Sequence, residues 1–430
     1  MLNSFLSWVD HDQQARNKTY QLLASYGDHD SRDELGIGAI RDSISDFLFP
    51  GTSTIQTRLK YMLIVPWIYT YLEKKYKRIR PDRFGREAEE IERSLIRPLI
   101  ATDDSAGAFG KTAKDRIKRL PSSVYWNGLG IWSIRRVKLS QDQYHSQIAS
   151  ICRRLNEGQQ AVSTADRQGD SLDDQSFSQL STWDPNLPLA PDGFPNSLDG
   201  LGFQLTKEEA EYLKDCMSIK NSKDNPHHVG NSLLAELVNK PFDLNIASPW
   251  NLKNQSTLNE FLVEFLTHAE KFSFLIHGAA LLYNLMVAEI VEKETDHREN
   301  DLAVKQSKDY EEKLKIWDGE LSTYGLKEWD LNRFWELIRH PNHDVHNKTK
   351  EFVKDWLKYT LDRPSQIAKS NEARDLIRMR ERRKGAKSRL HKKEPRDRWG
   401  GESGTNRLRY RWSNVVTLLK DLYKGLGYEL

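Results

Sequence analysis

Apolar residues recur at helical spacing through most of this chain. The first series repeats every three or four positions and stops at the Pro50-Gly51 turn; its members are Ile37, Ile40, Ile44, Phe47 and Leu48. The polar residues 52–54 can cap a second helix with an apolar face over 55–63, which Pro66 kinks or interrupts. The same spacing predicts helices at 86–99, 141–155, 206–217, 232–239, 257–294, 302–324, 328–339, 347–361, 364–384 and 413–426.

One segment departs from this pattern. Residues 124–137 combine aromatic side chains with turn glycines and are predicted as a short strand or hairpin. Elsewhere the sequence lacks convincing strand alternation and internal repeats. The predicted fold is therefore mainly α, with many helices and a small winged-helix-like hairpin element.

Length and composition predict two to three domains, because 430 residues exceed one ordinary core. Between about 156 and 203 the helical pattern gives way to Gln, Ser, Asp, Pro and Gly. We therefore expect a helical domain with a basic helix-hairpin at 1–156, a linker or long loop at 157–204, a helical domain at 205–365, and a basic helical segment at 366–430.

The most apolar stretch is FSFLIHGAALLYNLMVA, residues 272–288, which carries no formal charge. It falls short of the roughly 20 residues that cross a bilayer and contains His277 and Asn284, so a buried core helix is predicted, and no membrane partner. The two cysteines, Cys152 and Cys216, fit a reducing compartment, and the first residues lack a signal-peptide pattern. We expect a cytoplasmic protein.

Charge is concentrated near the C-terminus. Residues 374–411 hold fifteen Lys or Arg against five Asp or Glu, a local net charge of +10, whereas the whole chain carries +3 and the remainder therefore −7. A neutral-to-acidic body with one cationic element is typical of a nucleic-acid contact. A basic tail that binds an acidic protein surface, or nothing specific, is the alternative.

Within that segment, a helix through DLIRMRERRKGAKSRL is expected to present Arg380, Arg383 and Lys387 to DNA phosphates. The following GGESGTNR loop places arginines beside Trp399 and Tyr410, an arrangement suited to stacking on unpaired bases. The DNA-binding residues predicted here are Arg407, Arg409, Arg411 and Trp412.

A second basic element spans 105–139. A short amphipathic helix over 111–120, followed by the basic hairpin, would resemble a winged-helix DNA binder. Its predicted DNA contacts are Lys111, Lys114, Lys118, Arg119, Arg135 and Arg136. A merely solvated basic face is the competing interpretation. A phosphate loop is excluded because Ser105 occupies the position of the first glycine.

Candidate chemistry is weak elsewhere. His340, His343 and His346 in HPNHDVH could approach a zinc ion, but no cysteine or second acidic cluster is near, so turn and capping roles are favoured. His391-Lys392-Lys393 with Asp397 misses the HxKxxxxD spacing of phospholipase D-type nucleases by one residue. Four acids, Asp33, Glu34, Asp42 and Asp46, are expected to cap and pack rather than hold a cation. No catalytic residue, metal or cofactor is assigned, which favours a non-catalytic role.

The run SRDELGIGAIRDSISDFLFPGTSTIQTRLKY resembles the signature of an uncharacterised bacterial family, a domain of unknown function. The likeness continues through KRLPSSVYWNGLGIWSIRR, HGAALLYNLMVAE and GGESGTNRLRYRW. Members resemble accessory proteins encoded near helicases and phospholipase D-like proteins in antiphage defence islands. The resemblance implies a non-catalytic, DNA-engaging subunit of a defence complex with such partners. A metal-dependent nuclease with a cryptic site and a pure protein scaffold remain as alternatives.

Overall fold

The computed structural model describes residues 33–75, 81–111, 117–168, 181–198, 200–218, 229–254, 258–294, 301–362 and 364–428. Within these ranges the chain forms α-helices joined by loops and short 3-10 turns, with isolated bridges but no β-strand. The helices are α1 (Gly38–Leu48), α2 (Tyr61–Lys75), α3 (Pro81–Ala101), α4 (Pro121–Ile131), α5 (Gln141–Gln168), α6 (Lys207–Ser218), α7 (Leu233–Asn239), α8 (Glu260–Glu294), α9 (Asp301–Glu320), α10 (Leu331–Leu337), α11 (Asn347–Asp362), α12 (Asn371–Arg382), α13 (Lys393–Asp397) and α14 (Trp412–Gly425). The prediction of a mainly α, multi-helix fold is confirmed.

The chain divides into two compact units, each built from separate stretches of sequence. The first unit comprises Met1–Asp42 and Thr267–Leu408, and the second comprises Ser43–Leu266 and Arg409–Leu430. The boundaries between the units fall within α1, within α8 and after Leu408.

The first unit is organised around the C-terminal part of α8. The indole N–H groups of Trp317 and Trp356 donate to the carbonyls of Phe274 and Leu275, each at 2.9 Å. Gly278 permits this packing, because a Cβ there would lie 2.2 Å from the Trp317 ring. Helix α8 is long and apolar enough to span a membrane, yet 72% of its most apolar 18-residue window is buried. This burial supports the interpretation of α8 as a core helix.

The second unit packs around α2, whose residues are buried along most of its length. The Tyr69 ring lies at the centre of an aromatic cluster, with ring centroids at 5.2–5.8 Å from Phe84, Trp126, Tyr144 and Trp183. Trp183 belongs to the stretch that composition predicts as a linker, where α5 also continues to Gln168. Part of that stretch therefore contributes to a core.

The hairpin expected over 124–137 is wrong, because α4 occupies most of it. Pro121 stands in the first turn, where a fixed φ favours a helix start. Gly128 contacts the turn after α1, since a Cβ there would lie 2.3 Å from the Gly51 carbonyl oxygen. The Trp132 indole donates to the Pro50 carbonyl at 2.9 Å. The aromatic residues that suggested strands are thus the packing face of a helix.

Helix α2 also begins later than its sequence predicts. Residues 52–60 form a loop held by side chains: Thr52 Oγ1 donates to the Phe49 carbonyl at 2.7 Å, and Gln56 Nε2 donates to the Gly51 carbonyl at 3.0 Å. The Tyr125 hydroxyl accepts the backbone N–H groups of Thr57 and Arg58 at 2.9 and 3.1 Å. Pro66 lies inside α2.

Candidate nucleic-acid interface

Many arginines of the basic segment point into the first unit rather than into solvent. Arg374 pairs with Glu289 at 2.6 Å, and Arg396 pairs with Glu294 at 2.5 Å. Both acids lie near the end of α8. These ion pairs fix α12 and α13 against the core helix.

Arg380, predicted to face DNA, is buried with 8% of its surface exposed. Its guanidinium donates to the carbonyls of Leu35 and Gly36 at 2.6 and 2.7 Å and to Thr349 Oγ1 at 2.8 Å. Burial and the nearby Arg383 lower the pKa of Arg380. The expectation that Arg380 faces outward is wrong, because its guanidinium is held in the core by carbonyls that are distant in sequence.

Glu34 fixes a second part of the basic segment to the first unit. Its carboxylate accepts from Arg389 at 2.6 Å and from Ser403 Oγ at 2.7 Å, and it also pairs with Lys384. The neighbouring Asp33 caps α1, accepting the N–H groups of Ile37 and Gly38 at 2.6 and 2.8 Å. Glu34 therefore joins three side chains of the basic segment, those of Lys384, Arg389 and Ser403.

The other two acids considered for a cation have partners of their own. Asp42 pairs with Arg41 at 2.9 Å, and Asp46 pairs with Arg411 at 2.6 Å. No group of three or more metal-ligating side chains occurs among the described residues. This arrangement favours capping and packing roles for these acids.

Two aromatic residues of the C-terminal loop, Tyr410 and Trp412, are buried, whereas Trp399 is partly exposed. Trp412 is 2% exposed and donates its indole N–H to the Ile246 carbonyl at 3.0 Å, and Tyr410 is also buried. Arg407 donates to the Tyr324 hydroxyl at 2.7 Å and lies over the Phe274 and Tyr324 rings. The burial of Trp412 does not fit the expected stacking on bases. Arg407 and Arg411 are partly buried, Arg411 is paired with Asp46, and the DNA contacts expected of these two arginines stay predictions.

Within the first unit, five cations of the segment remain exposed and have no ion-pair partner among the described residues. We call this set the cationic patch: Arg382, Arg383, Lys387, Lys392 and Lys393. Sequence reasoning identified Arg383 and Lys387 but missed the other three: Arg382 stands next to Arg383, and Lys392 and Lys393 were considered only in the HxKxxxxD comparison. Arg409 is likewise exposed and belongs to the second unit.

The basic element at 105–139 is less accessible than its sequence predicts. Arg135 is buried, lies 4.9 Å from the centroid of the Trp126 ring and donates to the Trp126 carbonyl at 3.3 Å. Burial lowers the pKa of Arg135. Arg136 pairs with Asp184 at 3.5 Å. The expectation that Arg135 lies on an exposed basic face is therefore wrong.

The predicted lysine contacts of the basic element at 105–139 are exposed where the structure describes them. Lys111 and Lys118 are exposed, Arg119 is partly buried, and Lys114 lies outside the described residues. The helix expected at 111–120 is not continued in 117–120, which form a bend. A helix followed by a hairpin, the predicted winged-helix arrangement, is thus not formed by the described part of this segment.

The histidine cluster forms a turn and a helix cap. His346 precedes α11, and its Nδ1 accepts the Lys348 N–H at 3.1 Å. His340 Nδ1 accepts the Asn342 N–H at 3.2 Å, and the rings of His340 and His343 have centroids 4.9 Å apart. The turn and capping interpretation of HPNHDVH is confirmed for His340 and His346.

Sequence reasoning also missed an open groove of about 600 Å³ in the first unit. It lies between the start of α10 and the exposed side of α11, and its lining is aromatic, basic and amide-bearing. The lining residues are Trp329, Asp330, Leu331, Asn332, Trp335, Asn347, Lys350, Glu351 and Lys354. Neither tryptophan stands in a basic run, so no local sequence signal marks the groove.

The second unit encloses a buried polar network. Gln141 Nε2 donates to the Tyr69 and Ser122 hydroxyl oxygens, each at 2.8 Å, and Glu92 accepts the Ser122 N–H at 2.8 Å. Burial raises the pKa of Glu92 to about 7, and likewise that of Glu73, whose carboxylate accepts from Trp183 Nε1 at 3.0 Å. These carboxyl groups lie in a closed core rather than in a groove.

Comparison with known proteins gives one match. Among curated proteins and solved structures, none matches the chain significantly. A family model described as a family of unknown function (DUF6361) matches residues 3–425. The match covers nearly the whole sequence, so the protein belongs to the family of unknown function DUF6361.

Proposed function

We propose that this protein is a non-catalytic, DNA-engaging accessory subunit of a bacterial antiphage defence complex, acting with a helicase or nuclease. The observation that carries the proposal is the cationic patch. Five unpaired cations lie within twelve residues of a segment whose neighbouring arginines are fixed in a core. The defence context and the partners rest on the family resemblance of the sequence.

The patch suits phosphate binding for an electrostatic reason. Lys and Arg side chains that neutralise phosphates release condensed counterions. On duplex DNA the logarithm of the binding constant therefore falls by about 0.9 for each phosphate contact when the salt concentration rises tenfold. Paired cations such as Arg374 and Arg396 already have a carboxylate partner. The unpaired side chains of the patch are free to exchange water and counterions for phosphate.

Buried arginines of the same segment add rigidity to the cationic patch. Arg380 and Arg389 hold the end of α12 and the turn after it, and the patch lies on these elements. The backbone that carries the five cations is therefore ordered before DNA arrives, and less conformational entropy is lost on binding.

The test replaces all five patch residues with Gln and measures DNA affinity by fluorescence anisotropy between 50 and 200 mM salt. We expect weaker binding and a log–log salt slope reduced by about 4. Lys308→Gln/Lys315→Gln, which removes two exposed lysines from α9, is the control for altered charge alone. A five-residue variant that keeps the affinity and salt slope of the unmodified protein would show that the patch does not bind DNA.

The partners are tested by pull-down from cells that carry the neighbouring genes, with and without nuclease treatment. Retention of a helicase or nuclease, lost or reduced when DNA is digested, supports the proposal. Co-purification with no salt-dependent DNA affinity would instead identify a scaffold. Mg²⁺-dependent DNA cleavage that is lost in Asp42→Ala would identify a nuclease.

A further inference from the structure

We infer that the groove between α10 and α11 binds an unpaired base of single-stranded DNA. This inference rests on the proposed function and narrows it, from DNA in general to DNA with a single-stranded region. The observation is a tryptophan-lined groove that carries two lysines and lies on a helix packed against the patch helix α12.

The size and lining of the groove fit a nucleotide. Its volume of about 600 Å³ lies within the range of small-molecule sites, which combine aromatic walls with a few polar groups. Trp335 is partly exposed, whereas Trp329 is buried and fixed by its indole N–H bond to His268 Nδ1 at 2.8 Å. Trp335 contacts the Phe334 ring, which in turn contacts Trp329, so the partly exposed indole is held by neighbouring rings and offers a surface on which a base can stack.

The groove is lined by two lysines and by the carboxylates of Asp330 and Glu351, and the lysines are the groups that can meet a phosphate. Lys350 and Lys354 stand four residues apart on one face of α11, and Lys350 Nζ lies 5.7 Å from the centroid of the Trp335 ring. The Asp330 carboxylate is occupied in capping α10, where it accepts the Asn332 and Arg333 N–H groups at 2.9 and 3.1 Å. The lysines can therefore meet a phosphate while the indole meets its base.

Amide side chains supply the remaining recognition. Asn332 and Asn347 line the same groove, and each carries both a hydrogen-bond donor and an acceptor. Such groups can pair with the donors and acceptors on the polar edge of a base. A nucleotide thus satisfies the aromatic, cationic and amide parts of the lining together.

Helix α11, which lines the groove, is joined to α12, the helix that leads into the cationic patch. The Arg380 guanidinium donates to the Lys348 carbonyl at 3.4 Å and to Thr349 Oγ1 at 2.8 Å, which ties the start of α11 to α12. Arg382 and Arg383 follow on the same α12 end, and Lys348 is exposed. A strand whose phosphates lie on the patch is thereby led toward the groove.

Duplex DNA does not expose a base face on which the Trp335 indole could stack. Its base faces are covered by neighbouring bases, so an indole can stack only on a base that is unpaired or extruded. A patch that binds any phosphate backbone, beside a groove that accepts only unpaired bases, would favour single strands, tails and junctions over plain duplex.

The test compares binding of a 20-nucleotide single strand and the matching duplex to Trp335→Leu and to Lys350→Gln/Lys354→Gln. We expect single-strand affinity to fall at least tenfold in Trp335→Leu, with duplex affinity changed less than twofold. The lysine variant should weaken single-strand binding and lower its salt slope. Lys308→Gln/Lys315→Gln is the charge-matched control, and circular dichroism verifies that each variant folds.

An abasic strand separates stacking from charge. The abasic strand should bind the unmodified protein about as weakly as the normal strand binds Trp335→Leu. In the first complex the base is missing and in the second the indole is missing, so neither complex can form the base–indole stack. Unchanged single-strand affinity in Trp335→Leu overturns the inference. If the patch variant nevertheless loses affinity, the proposed function stands without the groove. If the patch variant keeps full affinity while Trp335→Leu loses single-strand binding, the groove stands and the proposed role of the patch fails.

Discussion

Glu34→Gln removes the negative charge that both Lys384 and Arg389 face in the first unit. The Glu34 and Arg389 side chains are only 6% and 5% exposed, so water cannot replace the lost carboxylate. Glutamine keeps an oxygen that can accept hydrogen bonds but leaves Arg389 as a buried cation without an ion-pair partner.

The expected magnitude follows from this burial. Removing one member of a buried ion pair costs about 3–5 kcal/mol, and the retained amide oxygen puts this variant near the lower end. Asp42→Asn is a matched control in the same stretch of chain, because its pair with Arg41 is 36% and 28% exposed. Such an exposed pair contributes about 0–1 kcal/mol.

Thermal unfolding followed by circular dichroism measures the difference. At about 2–4 °C per kcal/mol for a unit of this size, Glu34→Gln should lower the midpoint by about 6–12 °C and Asp42→Asn by no more than about 4 °C. Hydrogen exchange of peptides that cover 380–392 should localise the loss to the Glu34 contacts. Similar unfolding midpoints for the two variants would refute the view that the ion pairs of Glu34 stabilise the first unit.

Two further predictions concern the cores. Gly278→Ala should destabilise the first unit by about 1–3 kcal/mol, since the added Cβ would meet the Trp317 ring at 2.2 Å; the midpoint of thermal unfolding measures this, and a neutral result would contradict the close packing. Burial raises the pKa of Glu73 to about 7, above its unfolded value near 4.5, so its contribution to stability is present below pH 4.5 and is lost as pH rises to 7. The loss is on the order of 3 kcal/mol, and Glu73→Gln should flatten this part of the stability–pH curve; an unchanged curve would show that Glu73 does not titrate there.

Local signals predicted much of the fold. The Thr206 hydroxyl accepts the Glu209 N–H at 3.2 Å, and Glu209 accepts the Thr206 N–H at 2.8 Å, which is the capping box that TKEE suggests. Ser232 likewise accepts the Ala235 N–H at 3.2 Å at the start of α7. Caps and helical periodicity act within a few residues, so the sequence displays them directly.

Partners distant in the chain were not predictable in this way. Glu209 also pairs with Lys60 at 2.6 Å, and no spacing rule connects these two positions. Arg380 and Arg383 occur in the same basic run, yet only Arg380 meets the carbonyls of Leu35 and Gly36. Charge density thus located the basic segment, but the tertiary contacts decide which of its cations are exposed.

The tryptophans show the same limit. Sequence reasoning chose Trp412 as a stacking residue because arginines flank it, whereas its indole is buried against the Ile246 carbonyl. Trp335 stands in NRFWEL, which reads as an ordinary amphipathic helix. Its exposure depends on where α10 meets α11, a property of the fold rather than of the motif.

The discontinuous second unit has a consequence for synthesis on the ribosome. Arg58 is buried against Asp421, which is translated 363 residues later, and Tyr423 donates to the Leu237 carbonyl at 2.5 Å. At about 5–20 residues per second, the Asp421 carboxylate follows Arg58 by roughly 20–70 s, whereas Asp104, which also pairs with Arg58 at 2.7 Å, follows within roughly 2–9 s. Until α14 is made, Arg58 therefore has only one of its two carboxylate partners, and the Leu237 carbonyl of α7 lacks its Tyr423 donor. The second unit can complete its core only after α14 has been synthesised, although most of its sequence precedes that helix by more than 140 residues.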